Sequence, residues 1–320
     1  MKNIIKYYIQ KLFNKYYNCK YNKYKVPSIE LSNIIDKKPK KAIDIIWWKS
    51  YHTSFPWRKP ITLNEKISYL SGATDTSLWS LYTDKYEVRK HIEELGLKNI
   101  LTKCYGVWES TDEIDFFALP DSFVIKCTHD CGSTIIVKNR PSDLDIRIIK
   151  AKLNKHLSKI YGYETIEPHY TKIKPRIIAE ELLPNITNGL ISCSAVDYKI
   201  WCINNKAEWV MVCYDRTLES DGSHKAVFDL YDVKSWQPIR QYLSEQFRQA
   251  NFKNIPKPQN YDQMIKAAEI LSTGFPVVRI DLYNINGNIF FGEMTFTEQG
   301  GRTCCYTEEF QKKMGKKIML

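Results

Sequence analysis

The chain has 320 residues, of which 43% are hydrophobic and 13% aromatic, and its net charge is +11. This length and composition support a buried core in two or three lobes and argue against general disorder. No apolar stretch approaches the roughly 20 residues that span a bilayer. The first residues are interrupted by Lys6, Gln10 and Lys11, which argues against a signal peptide, so a cytoplasmic location is expected.

The cysteine pattern fits that location. The nine cysteines include no CxxC pair and no cysteine–histidine cluster at zinc spacing. An odd number without a regular framework predicts reduced, mostly structural thiols.

The positive charge is concentrated in an N-terminal arm, residues 1–50. This arm has twelve lysines and three acidic residues, a net charge of +9, whereas the other 270 residues have 35 basic and 33 acidic side chains, a net charge of +2. A nucleic-acid-binding body is expected to carry its own basic surface. The nearly neutral body therefore predicts no nucleic-acid partner.

The arm begins with the pattern of an amphipathic helix. Apolar residues recur at helical spacing from Ile4 to Tyr16, with lysines elsewhere on the helix surface. Two interpretations remain open. Residues 1–20 lie on an anionic membrane surface, or their apolar stripe packs on the body of the protein.

The rest of the chain alternates between helical and strand patterns. Residues 61–119 are predicted to be mostly helical, with Thr83 or Asp84 capping the helix that carries Lys85 and Arg89. Antiparallel hairpins among the later elements predict an α+β fold. Those elements are strands over 122–127, 134–138 and 175–183, a helix over 143–160, strands over 197–203 and 207–215, a helix over 261–272 and a closing hairpin over 277–296.

The closing hairpin carries the strongest chemical signal. Strand alternation places Arg279 with Asp281 on one face of its first strand, and Glu293 with Thr295 on one face of its second. A two-residue turn at 286–287 would put Asp281 and Glu293 on opposite sides of the sheet. A three-residue loop would bring them together, and this loop is the one expected.

Two neighbouring carboxylates beside an arginine are costly to leave unpaired. Mg²⁺ would resolve their repulsion, since it prefers a few carboxylates together with substrate phosphates. Asp281 and Glu293 are therefore candidate metal ligands. The alternative is a salt bridge between Arg279 and Glu293 on a solvated sheet face.

A second motif is a strand lysine followed by a small polar turn. Lys126 lies among apolar strand residues, and the turn THDCGS contains Gly132 and Ser133. An ammonium group supplies charge, and the backbone N–H groups of a turn can form an anion-binding nest. These three residues are candidate phosphate ligands. The alternative is an edge-strand lysine whose ammonium group reaches solvent.

A third motif joins IIAEELL to the strand DYKIW. Apolar residues around a main-chain segment can hold adenine, and the candidate residues are Glu180, Glu181, Leu182 and Leu183. The carboxylate of Glu180 can accept a hydrogen bond from the exocyclic amine. Asp197 can bind ribose hydroxyls, and Lys199 on the same face can reach phosphate. The alternative is an ordinary Asp–Lys pair on two sheet strands.

The order of these motifs resembles the ATP-grasp superfamily. The resemblance implies that ATP lies between two α+β lobes, that lysines contact its phosphates, and that a late Asp and Glu bind Mg²⁺. An Asn usually stands two residues beyond the Glu, and Thr295 occupies that position here. The residues in chain order are Lys85, Lys126, Glu180, Asp197, Lys199, Asp281 and Glu293.

The sequence is more closely similar to the TupA-like ATP-grasp family of bacterial surface-polysaccharide loci. The resemblance covers roughly residues 60–300 and implies an ATP-grasp fold, while the basic helical N-terminal extension lies outside it. The expected organisation is an arm over 1–50, a mostly helical region over 51–120, a small lobe over 121–184 and a large lobe with the metal site over 185–320. The matching stretches are LNEKI (63–67), TDKYEVR (83–89), LPDSFVIKCTHDCG (119–132), PRIIAEELL (175–183), DYKIWC (197–202), YDR (214–216) and VRIDLYNINGNIFFGEMTF (278–296).

The resemblance also implies a reaction, with ATP and Mg²⁺ as cofactors. A carboxylate is phosphorylated to an acylphosphate, which an amine then attacks. Lys85, Lys126 and Lys199 would neutralise phosphate oxygens, and Arg279 would stabilise the transferring phosphoryl group. Arg216 and Arg302 are candidates for binding an acidic acceptor, because guanidinium pairs bidentately with carboxylate; a surface role is the alternative for both.

Family members are associated with capsules and teichuronopeptide. The expected ligase therefore joins an amine or amino acid to a uronic acid of a cell-surface polysaccharide. A glycolipid acceptor would suit residues 1–20 on the inner face of the membrane. The alternatives are an ATP-grasp kinase, a glycosyltransferase-like enzyme of capsule biosynthesis, or a non-enzymatic membrane-associated adaptor.

Overall fold

A computed structural model describes residues 29–184, 192–218 and 224–320. The helix predicted within residues 1–20 lies outside these ranges. The helices are α1 (Ile29–Lys37), α2 (Pro39–Tyr51), α3 (Leu63–Ala73), α4 (Ser77–Thr83), α5 (Glu87–Glu94), α6 (Asp143–Leu157), α7 (Tyr161–Thr165), α8 (Glu245–Arg248), α9 (Tyr261–Leu271) and α10 (Glu308–Gly315). The strands are β1 (Cys104–Trp108), β2 (Phe123–Cys127), β3 (Ile135–Val137), β4 (Ile177–Glu180), β5 (Asp197–Ile203), β6 (Lys206–Leu218), β7 (His224–Asp232), β8 (Val277–Ile285) and β9 (Asn288–Thr295).

The strands form two antiparallel sheets. The first has the order β1-β4-β2-β3, and the second has the order β7-β6-β5-β8-β9. Helices surround both sheets, and the predicted α+β class is confirmed. β2 lies between β4 and β3, so Lys126 is on an internal strand and not on a sheet edge.

Two strands were missed by the sequence prediction. β1 lies inside the region 61–119 that was predicted to be mostly helical, and β7 was assigned no element. The sequence of β1, CYGVW, has no alternation of apolar and polar residues, which is the pattern that reveals a strand. In the structure all five residues are half-buried. β7 is an edge strand that pairs only with β6.

The helical region also contains a break that matters for the site. α4 ends at Thr83 and α5 starts at Glu87, so Lys85 lies in a short link and not within a helix. The carboxylate of Asp84 accepts hydrogen bonds from the backbone N–H groups of Tyr86 and Glu87 at 2.8 and 3.3 Å. The N-cap position of α5 is Tyr86, so the predicted cap by Thr83 or Asp84 is wrong, and the Asp84 side chain instead binds the backbone of the link.

The closing hairpin aligns its carboxylates by a different route from the predicted one. β8 and β9 are joined by a two-residue turn, Asn286–Gly287, with φ angles of +51° and +81°, so the predicted three-residue loop is wrong. A β-bulge at Gly292 adds one residue to β9 and places Glu293 directly opposite Asp281. A Cβ atom at Gly292 would lie 3.0 Å from the carbonyl oxygen of Asp281, which explains the glycine.

One face of the second sheet is apolar, and the other carries charged residues together with buried aromatic ones such as Trp201 and Trp209. Ile200 on β5 and Ile280 on β8 are fully buried in the main core, together with Met264 and Leu271 of α9, which packs against these strands. The face that carries Lys199 and Asp281 points the other way, because successive residues of a strand alternate.

The part of the predicted arm that the structure describes packs on the body. In α2, Ile43 and Trp48 are 1% exposed and join a separate apolar cluster with Phe55 and Ile166. In the described ranges, no helix has the length and apolar character needed to cross a bilayer. The membrane interpretation of residues 1–20 stays a prediction.

His169 is a buried imidazole beside the end of β9. Its ring is fully buried and makes edge contacts with Trp79 and Phe296 at centroid distances of 5.7 and 6.3 Å. Neither ring nitrogen has a hydrogen-bond partner among the described residues. Burial therefore lowers the pKa of His169 to about 3.

We expect His169→Phe to make the protein less sensitive to acid. In the wild type, the unfolded chain takes up a proton at His169 near its ordinary pKa of about 6.5, whereas the folded protein does not until about pH 3. Folded stability therefore falls between these values, by up to ~1.4 kcal/mol per pH unit. Urea unfolding from pH 7 to pH 4 should show a shallower loss for the variant, and equal slopes would contradict the assignment.

Candidate active site

The register of the second sheet assembles the predicted residues. Lys199 on β5 lies directly opposite Asp281 on β8, and Asp281 lies opposite Glu293 on β9. The three side chains thus form one row across neighbouring strands. Asp197, two residues before Lys199, begins the adjacent row on the same face.

Lys199 stands between two carboxylates. Its Nζ lies 2.7 Å from Oδ2 of Asp197, and it also forms an ion pair with Asp281. Burial alone would favour the neutral amine, but Asp197 and Asp281 hold the pKa of Lys199 above its usual range. Burial raises the pKa of Asp281 to about 6, against the opposing effect of Arg279 and Lys199. Lys199 is therefore a fixed positive charge.

Arg279 links the carboxylates of this face. Its Nε and Nη2 donate to the two oxygens of Asp281 at 2.7 and 2.8 Å, and its Nη1 donates to Glu298 at 2.7 Å. Nη2 also lies 3.1 Å from Glu293. The alternative Arg279–Glu293 salt bridge is thus present, but Arg279 is only 6% exposed, so the face is not solvated.

The sequence analysis missed Glu298, which follows β9 at the start of a tight turn. Its second carboxylate oxygen is buried without a partner among the described residues. Gln299, Gly300 and Gly301 have φ angles of +49°, +64° and +71°, and this left-handed run turns the chain back beside Arg279. The double glycine was a signal for a tight turn, but not for the contact with Arg279.

Thr295 lies beside the candidate metal ligand Glu293. Its hydroxyl accepts from Nη2 of Arg279 at 3.1 Å and donates to Oε1 of Glu293 at 3.0 Å. The hydroxyl therefore orients Glu293. Among the described residues, no hydrogen-bond donor contacts the other oxygen of Glu293, and 37% of this side chain is exposed.

Lys85 and the 128–133 loop, which joins β2 to β3, lie close enough to Glu293 for charges to act between them. Withdrawal from water disfavours a charged carboxylate, but Lys85, Arg279 and Lys199 outweigh it and lower the pKa of Glu293 to about 2. Burial and Glu293 together raise the pKa of the Cys131 thiol in the loop. Charged residues from the two halves of the sequence thus influence the ionisation of Glu293.

The 128–133 loop is held in shape by Asp130. Its backbone carbonyl accepts from Nζ of Lys85 at 2.5 Å, and its side chain accepts from the hydroxyl of Ser133 at 2.5 Å and pairs with His156 of α6. The Ser133 hydroxyl also accepts from the backbone N–H of Cys127 at 2.9 Å. Gly132 has a φ of +89°. The predicted nest-forming turn is therefore held by hydrogen bonds within the loop, and the Ser133 hydroxyl links its two ends.

Lys126 lies on the face of the first sheet that carries an apolar surface. Lys126 is opposite Ile178, and Val124 is opposite both Glu180 and Ile136. Ile136 is 57% exposed. Ile178 is fully buried, so this face offers one exposed apolar side chain near Lys126 against which a flat base can pack. Sequence reasoning missed Val124, Ile136 and Ile178 because strand pairing decides which residues share this face.

Glu180 anchors Lys126 and does not stand free. Its two oxygens lie 2.7 Å from Nζ of Lys126 and 2.8 Å from Nη1 of Arg89, and Thr102 donates a third hydrogen bond at 2.8 Å. Burial opposes ionisation, but Lys126 and the other donors lower the pKa of Glu180. Its predicted contact with adenine would require an exchange of partners. Of the neighbours, Glu181 is exposed and Leu182 and Leu183 are half-buried.

Comparison with known families assigns the chain to one of them. The family model described as TupA-like ATPgrasp matches residues 65–319. The chain belongs to the TupA-like ATP-grasp family. The ATP-grasp fold predicted from the order of the motifs is therefore confirmed. No curated protein is significantly similar to the sequence.

Several solved structures resemble this TupA-like protein at low identity. D-alanine–D-alanine ligase from Bacillus anthracis is 11% identical with a TM-score of 0.41, and the match covers 80% of this chain and 65% of the ligase. L-amino acid ligase from Bacillus licheniformis is 13% identical with a TM-score of 0.41, over 81% of this chain and 55% of that one. The chain thus spans less than two thirds of either ligase.

The carboxylates of this face outnumber the cations that contact them. Among the described residues, four carboxylates contact three cations, Lys199, Arg279 and the partly exposed Arg216, which leaves one negative charge in excess. In the described ranges, no group of three or more His, Cys, Asp or Glu residues is arranged to hold a metal. Mg²⁺ commonly takes only one or two carboxylates and completes its shell with phosphates and water. Glu293, which has one open oxygen, therefore fits Mg²⁺ bound together with a nucleotide, whereas Asp281 would first have to release Arg279 or Lys199.

The two candidate acceptor-binding arginines have different surroundings. Arg216 lies 3.3 Å from Asp197 and is 46% exposed, so much of its guanidinium is open at the edge of the site. Arg302 donates to the carbonyl oxygens of Gly300 and Thr165 at 2.7 and 2.9 Å, and burial lowers its pKa. Arg302 thus supports the turn after β9, whereas Arg216 is open to a ligand.

Proposed function

We propose that this protein is an ATP-dependent carboxylate–amine ligase that acts through an acylphosphate. It would join an amine or amino acid to a uronic acid of a bacterial cell-surface polysaccharide. The observation that carries the proposal is the row Lys199, Asp281 and Glu293, which lies close to Lys85 and the 128–133 loop. Fixed cations opposite a carboxylate pair are what phosphoryl transfer from a metal-bound nucleotide requires.

The residues divide the work of phosphoryl transfer. Lys85, Lys126 and Lys199 would bind the phosphate oxygens, and the backbone N–H groups of the 128–133 loop would bind them from the other side. Bound by Asp281 and Glu293, Mg²⁺ would neutralise and orient the phosphates. The acceptor carboxylate attacks the terminal phosphorus, the bond from phosphorus to the bridging oxygen breaks, and ADP leaves.

Arg279 would stabilise the charge that develops on the transferring phosphoryl group. Its guanidinium is fixed by Asp281 and Glu298, so it needs no rearrangement during the reaction. The amine then attacks the acyl carbon, and inorganic phosphate leaves. Arg216 would bind an acidic acceptor through its open guanidinium.

The polysaccharide part of the proposal comes from the family. An acidic saccharide or glycolipid acceptor would place the enzyme in the cytoplasm at the inner face of the membrane. The basic arm is consistent with this location, because clustered lysines attract anionic lipid surfaces.

A coupled ADP-release assay tests the reaction class. Uronic acids are screened in pairs with amino acids and simple amines, in the presence of Mg²⁺-ATP. ADP and phosphate should appear only when both a carboxylate and an amine are supplied. Turnover with a hydroxyl acceptor and no amine would indicate a kinase, and turnover with a nucleotide sugar would indicate a glycosyltransferase.

A further inference from the structure

The position of Lys85 is not determined by a helix. The residue lies in the link between α4 and α5, and its ammonium group donates to the carbonyl oxygen of Asp130 in the 128–133 loop. Its backbone N–H donates to the carbonyl oxygen of Thr128 at 3.2 Å. Other groups must hold this link in place if Lys85 is to meet a phosphate.

Arg176, the residue before β4, contacts the link between α4 and α5 on both sides of Lys85. Its Nη2 lies 2.8 Å from Oδ2 of Asp84 and 2.7 Å from Oε1 of Glu87. Its guanidinium also lies over the ring of Tyr86 at 5.0 Å. The side chain of Asp84 is only 3% exposed. One guanidinium therefore contacts the residue before Lys85 and the two residues after it.

The backbone of Arg176 holds the start of the loop as well. Its carbonyl oxygen accepts from the N–H of Thr128 at 2.8 Å, and Thr128 in turn accepts from the N–H of Lys85. The side chain and the carbonyl of one residue thus fix Lys85 and the 128–133 loop relative to each other.

We infer that Arg176 is a positioning residue for nucleotide phosphates. It sets the distance between the ammonium of Lys85 and the N–H groups of the 128–133 loop, and it does so without touching the nucleotide. This inference rests on the proposed binding of ATP at the site. Nη2 of Arg176 contacts the carboxylates on both sides of Lys85, so the contribution of Arg176 is geometric and not that of a phosphate ligand.

The inference predicts a loss of affinity that is specific for phosphates. In Arg176→Gln, the Kd of the non-hydrolysable analogue AMP-PNP with Mg²⁺ should rise at least about tenfold, since small displacements weaken oriented contacts. The Kd of adenosine should stay within about twofold, because the base and ribose contacts lie elsewhere. The Kd of AMP-PNP for Arg176→Lys should lie between those of the wild type and Arg176→Gln. An ammonium group can pair with the two carboxylates that Nη2 contacts, but it lacks the planar guanidinium that lies over Tyr86.

Isothermal titration calorimetry of the full chain, with each ligand in turn, measures the two Kd values. The matched control is Arg140→Gln, which removes an exposed Arg140–Asp121 ion pair of 2.7 Å and should change neither Kd. If Arg176→Gln does not fold, Glu87→Gln removes only the outer ion pair, whose carboxylate is 38% exposed, and should give a smaller loss of the same kind.

Equal losses for AMP-PNP and adenosine would overturn the inference, as would an unchanged Kd for AMP-PNP. The titration needs no acceptor and no amine. If no acceptor supports ADP release but the phosphate-specific loss is found, the ligase proposal fails and the role of Arg176 stands. If ligase activity is found without that loss, only the role of Arg176 is lost.

Discussion

Glu293→Gln should lower Mg²⁺-dependent ADP formation at least about 100-fold, which corresponds to ~2.7 kcal/mol of transition-state stabilisation. Glutamine keeps the size of the side chain and can still accept from Thr295 and Arg279, so the fold should survive. It removes the negative charge that a divalent cation needs. Initial rates measured across a Mg²⁺ titration should show a raised metal requirement as well as slower turnover.

Asp281→Asn should have a similarly large effect on turnover, with a greater cost in stability. Asp281 is 2% exposed and contacts both Lys199 and Arg279, so its neutralisation leaves buried cations with fewer partners. The matched control is Glu208→Gln, which removes an ion pair with Lys317 outside the site. Unchanged turnover in Glu293→Gln, with an unchanged melting temperature, would contradict the assignment of Glu293 as a Mg²⁺ ligand.

Lys126→Met should weaken the binding of Mg²⁺-ATP by about 10- to 150-fold, since charge-assisted contacts contribute ~1.5–3 kcal/mol. Methionine keeps the apolar stem beside Ile178 and removes only the ammonium group. Titration with AMP-PNP measures the change. The control is Lys150→Met in the same lobe, which removes a 3.1 Å pair with Asp112 and should leave the Kd unchanged.

Loss of Lys126 also leaves Glu180 with one fewer positive partner, and its charge could repel the phosphates. The double variant Lys126→Met/Glu180→Gln separates the two effects. Affinity that stays low in the double variant assigns the loss to the missing ammonium. Affinity that returns to the wild-type level would assign it to repulsion by Glu180, and Lys126 would then have no role in binding phosphate.

Much of the site was visible in the sequence because its residues recur on strands. Period-two alternation is enough to place Asp197 with Lys199, and Arg279 with Asp281, on common faces. The structure confirms the α+β class and agrees with the position of Lys126 on a strand. Local sequence patterns carry this information, since they depend only on neighbouring residues.

The remaining features depend on contacts between distant segments. The pairing of Asp281 with Glu293 was expected, but the turn rule gave the wrong loop, because a bulge leaves no alternation signal of its own. The contact of Glu298 with Arg279 and the occupation of Glu180 by Lys126 and Arg89 likewise follow from tertiary packing. No local sequence pattern reveals which carboxylate pairs with a buried cation.

The bulge at Gly292 has a consequence for how this hairpin tolerates insertions and deletions. A longer loop at 286–287 would leave every strand pair unchanged, so the tip can vary in length without disturbing the two carboxylates. Removal of any one residue of β9 before Glu293 would leave it opposite Asp281 in a regular ladder. Only loss of Gly292 would also keep Phe290 and Phe291 on their present faces, and it would remove the bend that the bulge gives the strand. Homologues one residue shorter here should therefore have lost the residue equivalent to Gly292, and their carboxylates should meet on a straighter strand.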